Sequence, residues 1–219
     1  MNGKIEALVF DMDGLLFDSE RVVQRSWNIT GEEMGYGKIG EHIYHTLGMN
    51  LKSRTEYFKK VYGPDFPMDK FSVETRRNFY KIADEEGVPL KRGALALLQY
   101  AKAKGYKTAI ATSSRRDYAT RQLEAGGIKE YFDGFVYGDM VTNSKPDPEI
   151  YLKACEQIGV SPENALALED APNGIRAAYS AELRPIMVPD LVQPTDEIRA
   201  MTWRVVESLE EVVELIEKI

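Results

Sequence analysis

The sequence predicts an α/β protein, in which a Rossmann-like parallel sheet core carries an inserted all-helical domain. From residue 93 onward, short apolar runs alternate with helical patterns, as parallel strands joined by helical crossovers do. The stretch 18–87 interrupts that alternation with helical patterns and no convincing strand. An apolar run at 6–10 precedes the interruption. We therefore assign 1–17 and 88–219 to the core and 18–87 to a helical lid.

The elements of the predicted core follow one another in short segments separated by turns. Strands are predicted at 6–10, 106–112, 134–138, 165–169, 184–189 and 203–207. Helices are predicted at 93–105, 115–127, 147–159, 174–181 and 208–219, several of them ended by glycine. The last of these is amphipathic. In the lid, helices are predicted at 19–34, 41–47, 53–62 and 69–86.

The bulk composition excludes several classes of protein. The net charge is −7 and the pI about 5.1, which disfavours a nucleic-acid partner. No apolar stretch approaches the roughly 20 residues that a membrane-spanning helix needs. The single cysteine, Cys155, cannot form an internal disulfide, which fits a reducing compartment. We therefore expect a cytoplasmic protein that binds neither nucleic acid nor membranes.

Polar side chains follow the predicted strands at the edge where α/β sheets bind ligands. Asp11 and Asp13 follow the first strand, and Thr112 ends the second. Lys145 lies in the loop after the third strand, and the pair Glu169–Asp170 ends the fourth. Carboxylates of this kind hold Mg²⁺, while hydroxyls, backbone N–H groups and an ammonium hold phosphate. The inventory predicts a site for a divalent cation and a phosphoryl group.

The chain resembles the haloacid dehalogenase superfamily, in its β-phosphoglucomutase-like and pseudouridine-5'-phosphatase-like branch. The resemblance is carried by "DMDGLLFDSE" at 11–20, "ATSS" at 111–114, "SKPDPEIY" at 144–151 and "ALEDAPNGIRAA" at 167–178. Four such motifs in this order, at successive strand ends, are highly specific. The resemblance implies a helical cap where the lid is predicted and, by family analogy, a monomer.

The resemblance also implies catalytic and metal-binding roles. Asp11 would be the nucleophile that forms an aspartyl-phosphate, and Asp13 the general acid and base. Asp11, the Asp13 backbone carbonyl and Asp170 would ligate Mg²⁺. Glu169 would be a further ligand or would hold a metal-bound water.

The remaining implied roles concern the phosphoryl group. Thr112 would donate a hydrogen bond to it, helped by the Ser113 backbone N–H. Lys145 would neutralise its charge and bridge to Asp11. Ser114 is interpreted as the N-cap of the following helix. His42 and His45 are interpreted as surface or lid-packing residues.

The lid decides between hydrolysis and phosphoryl transfer within a sugar. The mutases of the family place a histidine shortly after the first motif, and 19–24 contains none. Their lid arginine follows a glycine at short spacing, whereas Gly48 is followed by Arg54 at a displaced position. We therefore predict a Mg²⁺-dependent phosphatase of a small phosphorylated metabolite, with a β-phosphoglucomutase as the alternative. The lid candidates for substrate contact are Arg76, Arg77 and Arg54.

Two other functional hypotheses fit the sequence less well. A metal-free dehalogenase would leave the carboxylates at 11, 13, 169 and 170 without a task. A binding module without catalysis would be expected to have lost part of the catalytic set, yet all of its residue types are present.

Overall fold

The structure is a computed structural model that describes residues 4–46, 49 and 51–218. The chain divides into two compact units. Met1–Asp18 and Pro89–Ile219 form the first, which we call the sheet unit, and Ser19–Val88 forms the second, the helical unit. Among the described residues, no helix combines the length and the apolar composition that a membrane crossing requires.

The sheet unit is built on a parallel sheet, with six strands in the described part of the chain. They are β1 (Ala7–Phe10), β2 (Lys107–Ala111), β3 (Gly134–Val136), β4 (Ala165–Glu169), β5 (Arg184–Met187) and β6 (Arg204–Val205), in the spatial order β3-β2-β1-β4-β5-β6. All neighbouring strands run parallel.

The helices fall into the two units in chain order. The helical unit holds α1 (Ser19–Glu33), α2 (Ile43–Thr46), α3 (Leu51–Tyr62) and α4 (Met68–Glu86). The sheet unit holds α5 (Ala94–Lys104), α6 (Arg116–Ala125), α7 (Glu149–Ile158), α8 (Pro172–Ser180), α9 (Asp196–Met201) and α10 (Leu209–Ile216). α5 packs against α10, and α7 packs against β2 and β3.

The two central strands are apolar except for Glu169, the last residue of β4, because helices cover both of their faces. Every residue of β1 and β4 is buried. In register, Phe10 at the end of β1 lies opposite Ile110 of β2 and Leu168 of β4. The residues that follow these three strands therefore emerge at one edge of the sheet.

The helical unit has an aromatic core of its own. Trp27 of α1 makes edge contacts with Phe58 and Phe71, with ring centroids 5.6 and 5.5 Å apart. Phe66 stacks on Phe58 at 5.0 Å. A buried amide also joins α4 to α1, because Asn78 Nδ2 donates a hydrogen bond to Thr30 Oγ1 at 3.0 Å. Burial of these large rings is the main stabilising contribution available to so small a unit.

The predicted fold class is confirmed, with differences at individual elements. Helix α9 is not predicted from the sequence. It begins after Thr195, whose Oγ1 accepts a hydrogen bond from Ile198 N–H at 3.4 Å. β3 is two residues shorter than the predicted strand 134–138, because the chain turns into a short 3-10 helix at Gly138–Met140. Gly48, from which the displaced spacing to Arg54 was counted, lies outside the described residues.

Candidate active site

The sheet ladder continues one residue past the strands and fixes the backbone of the candidate residues. Asp11 N–H donates to the Leu168 carbonyl at 3.0 Å, and Thr112 N–H donates to the Val136 carbonyl at 3.1 Å. At the next strand, the Glu169 carbonyl accepts from Val188 N–H at 2.7 Å. These positions therefore share the rigidity of the sheet while their side chains lie at its carboxyl edge.

A buried lysine links two of the carboxylates. Lys145 Nζ donates to Asp11 Oδ1 and to Glu169 Oε1, each at 2.6 Å, and to the Ala111 carbonyl at 2.9 Å. The side chains of Lys145, Asp11 and Glu169 are only 8%, 11% and 1% exposed. Burial of charges at this depth requires such pairing, since an isolated ion there is strongly destabilising.

The charges in this cluster shift each other's protonation. Burial raises the pKa of Asp11 to about 7, although Lys145 opposes the rise and Glu169 adds to it. Burial alone would lower the pKa of Lys145, but Asp11 and Glu169 outweigh it and raise that pKa above its ordinary value. Lys145 is therefore held as the ammonium form, which suits contact with an anionic group.

Glu169 is fixed from two further sides. Tyr151 of α7, fully buried, donates its hydroxyl to Glu169 Oε1 at 2.7 Å. On the other side the carboxylate packs against the backbone of Gly174 in α8, where a Cβ atom would lie 1.9 Å from Glu169 Cδ. The absence of a side chain at Gly174 therefore allows α8 to pack closely against Glu169.

Three carboxylates form a group that could hold a metal ion. Ligand oxygens of Asp11, Glu169 and Asp170 lie within 4.8 Å of one another. Opposite Asp170, Gly14 has φ +82° and no room for a side chain, since a Cβ would lie 2.3 Å from Asp170 Oδ2. Three carboxylates against one ammonium leave an excess of negative charge, which a divalent cation would offset. Hard oxygen donors of this kind fit Mg²⁺.

Asp13 is held by two hydroxyl groups from another part of the sheet unit. Ser114 Oγ donates to Asp13 Oδ2 at 2.6 Å, and Tyr118 OH donates to Asp13 Oδ1 at 3.2 Å. The interpretation of Ser114 as a helix N-cap is wrong. The N-cap of α6 is Arg115, whose side chain makes no capping bond, and the Ser114 hydroxyl donates to Asp13.

The segment that follows β2 supplies hydroxyl and backbone donors. Thr112 is buried, and its Oγ1 accepts a hydrogen bond from Ser114 N–H at 3.1 Å. Ser113 is exposed, and its carbonyl packs so closely on Gly138 that a Cβ there would lie 2.1 Å from it. Gly138 N–H in turn donates to the Ser114 carbonyl at 2.9 Å. The segment is therefore fixed by contacts on both of its sides.

The loop that carries Lys145 is tied down by a single glutamate. Glu149 accepts hydrogen bonds from the N–H groups of Thr142 and Asn143 and from Lys153 Nζ at 2.7 Å. The Lys153 bond, followed by those two backbone donors, lowers the pKa of Glu149 to about 2. An ionised carboxylate at this position keeps the loop closed and so helps to hold Lys145.

The predicted lid arginines lie in the helical unit in different environments. Arg77 is paired with Glu33 at 3.1 Å and with Glu74 at 2.6 Å, and Arg76 is exposed on the same helix.

Arg54 lies over the Trp27 ring at 5.5 Å, and its Nε is buried without a hydrogen-bond partner. Burial lowers the pKa of Arg54, against the opposite effect of Glu20.

Two tyrosines at this site were not singled out in the sequence. Tyr151 lies in the pattern of buried α7 residues, and Tyr118 in that of α6. A tyrosine on an apolar helix face needs a hydrogen-bond partner for its hydroxyl, which is the signal that could have found both. Their partners are distant in the chain and could not be deduced from it.

The chain is similar to known proteins over most of its length. Residues 8–188 match the family model described as haloacid dehalogenase-like hydrolase. A phosphorylated carbohydrates phosphatase of Thermotoga maritima is 34% identical over 190 residues, with 83% of this chain and 84% of that protein covered. A Drosophila melanogaster protein, provisionally named a pseudouridine-5'-phosphatase, is 31% identical over 195 residues and covers 85% of this chain and 83% of its own.

A solved structure extends the similarity over nearly the whole chain. It comes from Thermotoga maritima and is described, provisionally, as a beta-phosphoglucomutase. Its TM-score to this chain is 0.82 at 27% identity, with 98% of this chain and all of that chain covered.

Proposed function

The chain belongs to the haloacid dehalogenase-like hydrolases, as an enzyme that acts on phosphoric monoesters, and we propose that it works through an aspartyl-phosphate at Asp11. One observation carries the proposal. Asp11 lies at the carboxyl edge of the sheet with an ammonium 2.6 Å away and two more carboxylates beside it. This arrangement offers a nucleophile, a neutralising cation and oxygen donors for a metal in one place.

In the first step, an Asp11 carboxylate oxygen forms a bond to phosphorus while the bond from phosphorus to the leaving oxygen breaks. Asp13 gives a proton to that leaving oxygen. The Thr112 hydroxyl and the Ser113 N–H donate hydrogen bonds to the phosphoryl oxygens, and Lys145 neutralises their charge. Such preorganised donors are the main source of catalysis in phosphoryl transfer.

In the second step, the ionised Asp13 takes a proton from a water molecule. The water oxygen bonds to phosphorus and the bond from phosphorus to Asp11 breaks, which releases inorganic phosphate. Asp13 is thereby protonated again and Asp11 is free. The same carboxyl group thus serves as acid and then as base, which returns the enzyme to its starting state.

Mg²⁺ fits the site as a proposed cofactor. Asp11, Asp170 and the backbone carbonyl of Asp13 would hold it, with Glu169 beside them as the partner of Lys145. When bound, the ion would supply positive charge for the oxygens of the transferring group.

The helical unit is proposed as the cap that selects the substrate, with the division at 1–17, 18–87 and 88–219. Relatives named for phosphorylated carbohydrates and for a nucleoside phosphate support a small phosphorylated metabolite as substrate. Arg54, Arg76 and Arg77 are the proposed cap contacts. We further propose that the protein is cytoplasmic and monomeric; size-exclusion chromatography with light scattering would test the monomeric state.

The nucleophile is tested with Asp11→Asn, which keeps the shape of the side chain but removes its charge. We expect phosphate release to fall by at least about 10³-fold. Asp139→Asn makes the same change at an exposed carboxylate after β3, and it should leave activity within about threefold. Borohydride reduction during turnover should convert Asp11 to homoserine in the wild type, as read by mass spectrometry. Full activity in Asp11→Asn would refute the proposal.

The metal is tested by removal. We expect EDTA to abolish phosphate release and added Mg²⁺ to restore it. Calorimetric titration of Mg²⁺ into the wild type and into Asp170→Asn gives a readout that does not depend on turnover. Unchanged Mg²⁺ affinity in that variant would contradict the proposed ligand.

A mutase remains the second candidate because the Thermotoga maritima structure carries that description. The two reactions differ in the acceptor of the phosphoryl group. A panel of β-glucose 1-phosphate, hexose 6-phosphates, deoxy-sugar phosphates and nucleoside monophosphates separates them. Phosphate release without isomerisation supports the phosphatase, and glucose 6-phosphate formed from β-glucose 1-phosphate supports the mutase.

A further inference from the structure

We propose that Tyr118 and Ser114 act together as positioning residues that orient the Asp13 carboxyl group for proton transfer to the leaving oxygen. The inference rests on the proposed function, because it assigns these residues to the acid–base step of that reaction. Neither residue has a role in the scheme so far.

The first support is the geometry of the pair. Each Asp13 oxygen has its own donor, Ser114 Oγ at 2.6 Å and Tyr118 OH at 3.2 Å. A carboxyl group on a short side chain can rotate about two bonds. Two donors at different oxygens fix that rotation, which one donor would leave open.

The second support is that both donors are themselves fixed. Tyr118 is only 5% exposed, so its hydroxyl depends on a partner within the protein. Ser114 is held through its backbone, since its N–H donates to Thr112 Oγ1 and its carbonyl accepts from Gly138 N–H at 2.9 Å. A proton donor must be held in the correct geometry to be efficient, and this pair supplies a rigid frame for it.

The pair also joins the acid–base residue to the phosphate-binding segment. Ser114 lies two residues after Thr112 and bonds to it, while its hydroxyl reaches Asp13 from 101 positions away in the chain. The loop after β1 and the segment after β2 are thereby locked to each other. Phosphoryl oxygens bound at Thr112 would therefore be presented to Asp13 in a fixed relation.

The test uses the leaving group, because proton donation matters only when the leaving oxygen is a poor leaving group. Release of p-nitrophenolate needs little help from an acid, whereas release of a sugar alkoxide needs it strongly. In Tyr118→Phe and in Ser114→Ala we expect kcat/KM for a hexose phosphate to fall roughly 10-fold more than kcat/KM for p-nitrophenyl phosphate. A purely structural defect would lower both values in parallel.

The matched control is Tyr137→Phe. Tyr137 is also a buried tyrosine next to α6, and its hydroxyl accepts a hydrogen bond from Thr120 Oγ1 at 3.3 Å rather than contacting the site. Its ratio of kcat/KM values for the two substrates should equal that of the wild type. Thermal unfolding of every variant confirms that it is folded before its kinetics are compared.

A double-mutant cycle shows whether the pair acts through Asp13. In single-turnover experiments, Asp13→Asn should abolish the selective effect, so that adding Tyr118→Phe changes both substrates alike. A parallel loss for both substrates in the single variants, no loss, or a gain for the hexose phosphate would overturn the inference. If the wild type hydrolyses neither substrate, the proposed function itself fails, which is a distinguishable result.

Discussion

Gly174 is the position where a single methyl group tests the site most directly. In an ordinary helix, Gly→Ala is stabilising or neutral, by about 0.5–1 kcal/mol. Here the added Cβ would lie 1.9 Å from Glu169 Cδ, within a fully packed site. We therefore expect Gly174→Ala to destabilise the protein by about 1–3 kcal/mol and to lower activity. Urea denaturation and phosphate release are the measurements.

Arg176→Ala, in the same helix, is the control for that substitution. Arg176 pairs with Glu197 at 3.0 Å, and both side chains are partly exposed. Such a pair contributes about 0–1 kcal/mol, so this variant should keep its activity. Gly174→Ala with wild-type stability would mean that Glu169 can move aside, and that its buried position is not required.

The residue types predicted which functional groups lie at the carboxyl edge of the sheet, but they did not predict which of these groups are hydrogen-bonded to each other. Asp11 follows β1, Glu169 ends β4 and Asp170 follows it, and the apolar character of both strands is plain in the sequence, so their common edge could be inferred. Ser114 was misassigned because an N-cap is a local pattern, whereas its actual partner is 101 positions away. Hydrogen bonds over such separations depend on packing that no local pattern encodes.

Within the helical unit, His42 lies between two tyrosines of α3; it is the last residue of a short 3-10 helix, Gly40–His42, that precedes α2. His42 Nδ1 lies 2.7 Å from Tyr57 OH, and Nε2 lies 2.7 Å from Tyr62 OH. Burial lowers the pKa of His42 below its ordinary value of 6.5, and His45 lowers it further, against the opposite effect of Glu41. Near and just below pH 6.5, His42 is therefore protonated to a greater extent in the unfolded chain than in the folded unit.

This difference predicts that acid weakens the helical unit. The stability contribution is fully present above pH 6.5 and is lost as the pH falls below it, since the unfolded state then holds more protons. We expect the urea concentration at the midpoint of unfolding to decrease as the pH is lowered from about 7.5 to about 5.5. Trp27 fluorescence in a Trp203→Phe background follows the unfolding. His42→Gln should reduce that fall, and His45→Gln should retain most of it. An equal fall in His42→Gln and the wild type would contradict the assignment.

Element prediction succeeded where a pattern repeats over enough residues and failed where it does not. β1, β4, α7 and α10 carry clear apolar patterns, and each is found close to its predicted place. α9 spans six residues and buries only Ile198, so it offers too few apolar positions to show a period. β6, two residues long, was predicted only because the apolar residues around it extend the pattern.

At the scale of the molecule, the alternation of strands and helices predicted a parallel sheet but not the strand order. β1 lies between β2 and β4, so the two central crossovers place segments far apart in the chain beside each other. That arrangement brings Lys145 to Asp11 and Glu169. The site is thus a product of topology, and a list of residues at strand ends contains only part of it.

The two points where the chain leaves and re-enters the sheet unit are already bonded to each other. Asp18 N–H donates to the Pro89 carbonyl at 2.8 Å, and Lys91 N–H donates to the Leu16 carbonyl at 2.8 Å. Phe17 forms an antiparallel bridge with Leu90. A short linker could therefore replace the whole helical unit with little cost in loop closure, as in a β-hairpin.

We expect a variant in which a Gly/Ser linker of about two to four residues joins Asp18 to Pro89 to fold on its own. The Asp11, Lys145, Glu169 and Asp170 cluster lies wholly within the sheet unit, so slow hydrolysis of p-nitrophenyl phosphate should remain. Discrimination among the phosphorylated metabolites of the panel should be lost with the proposed cap. Circular dichroism, thermal unfolding and phosphate release are the measurements, with Asp11→Asn in the shortened chain as the inactive control. A shortened chain that shows no cooperative unfolding would mean that the sheet unit depends on the helical unit for its stability.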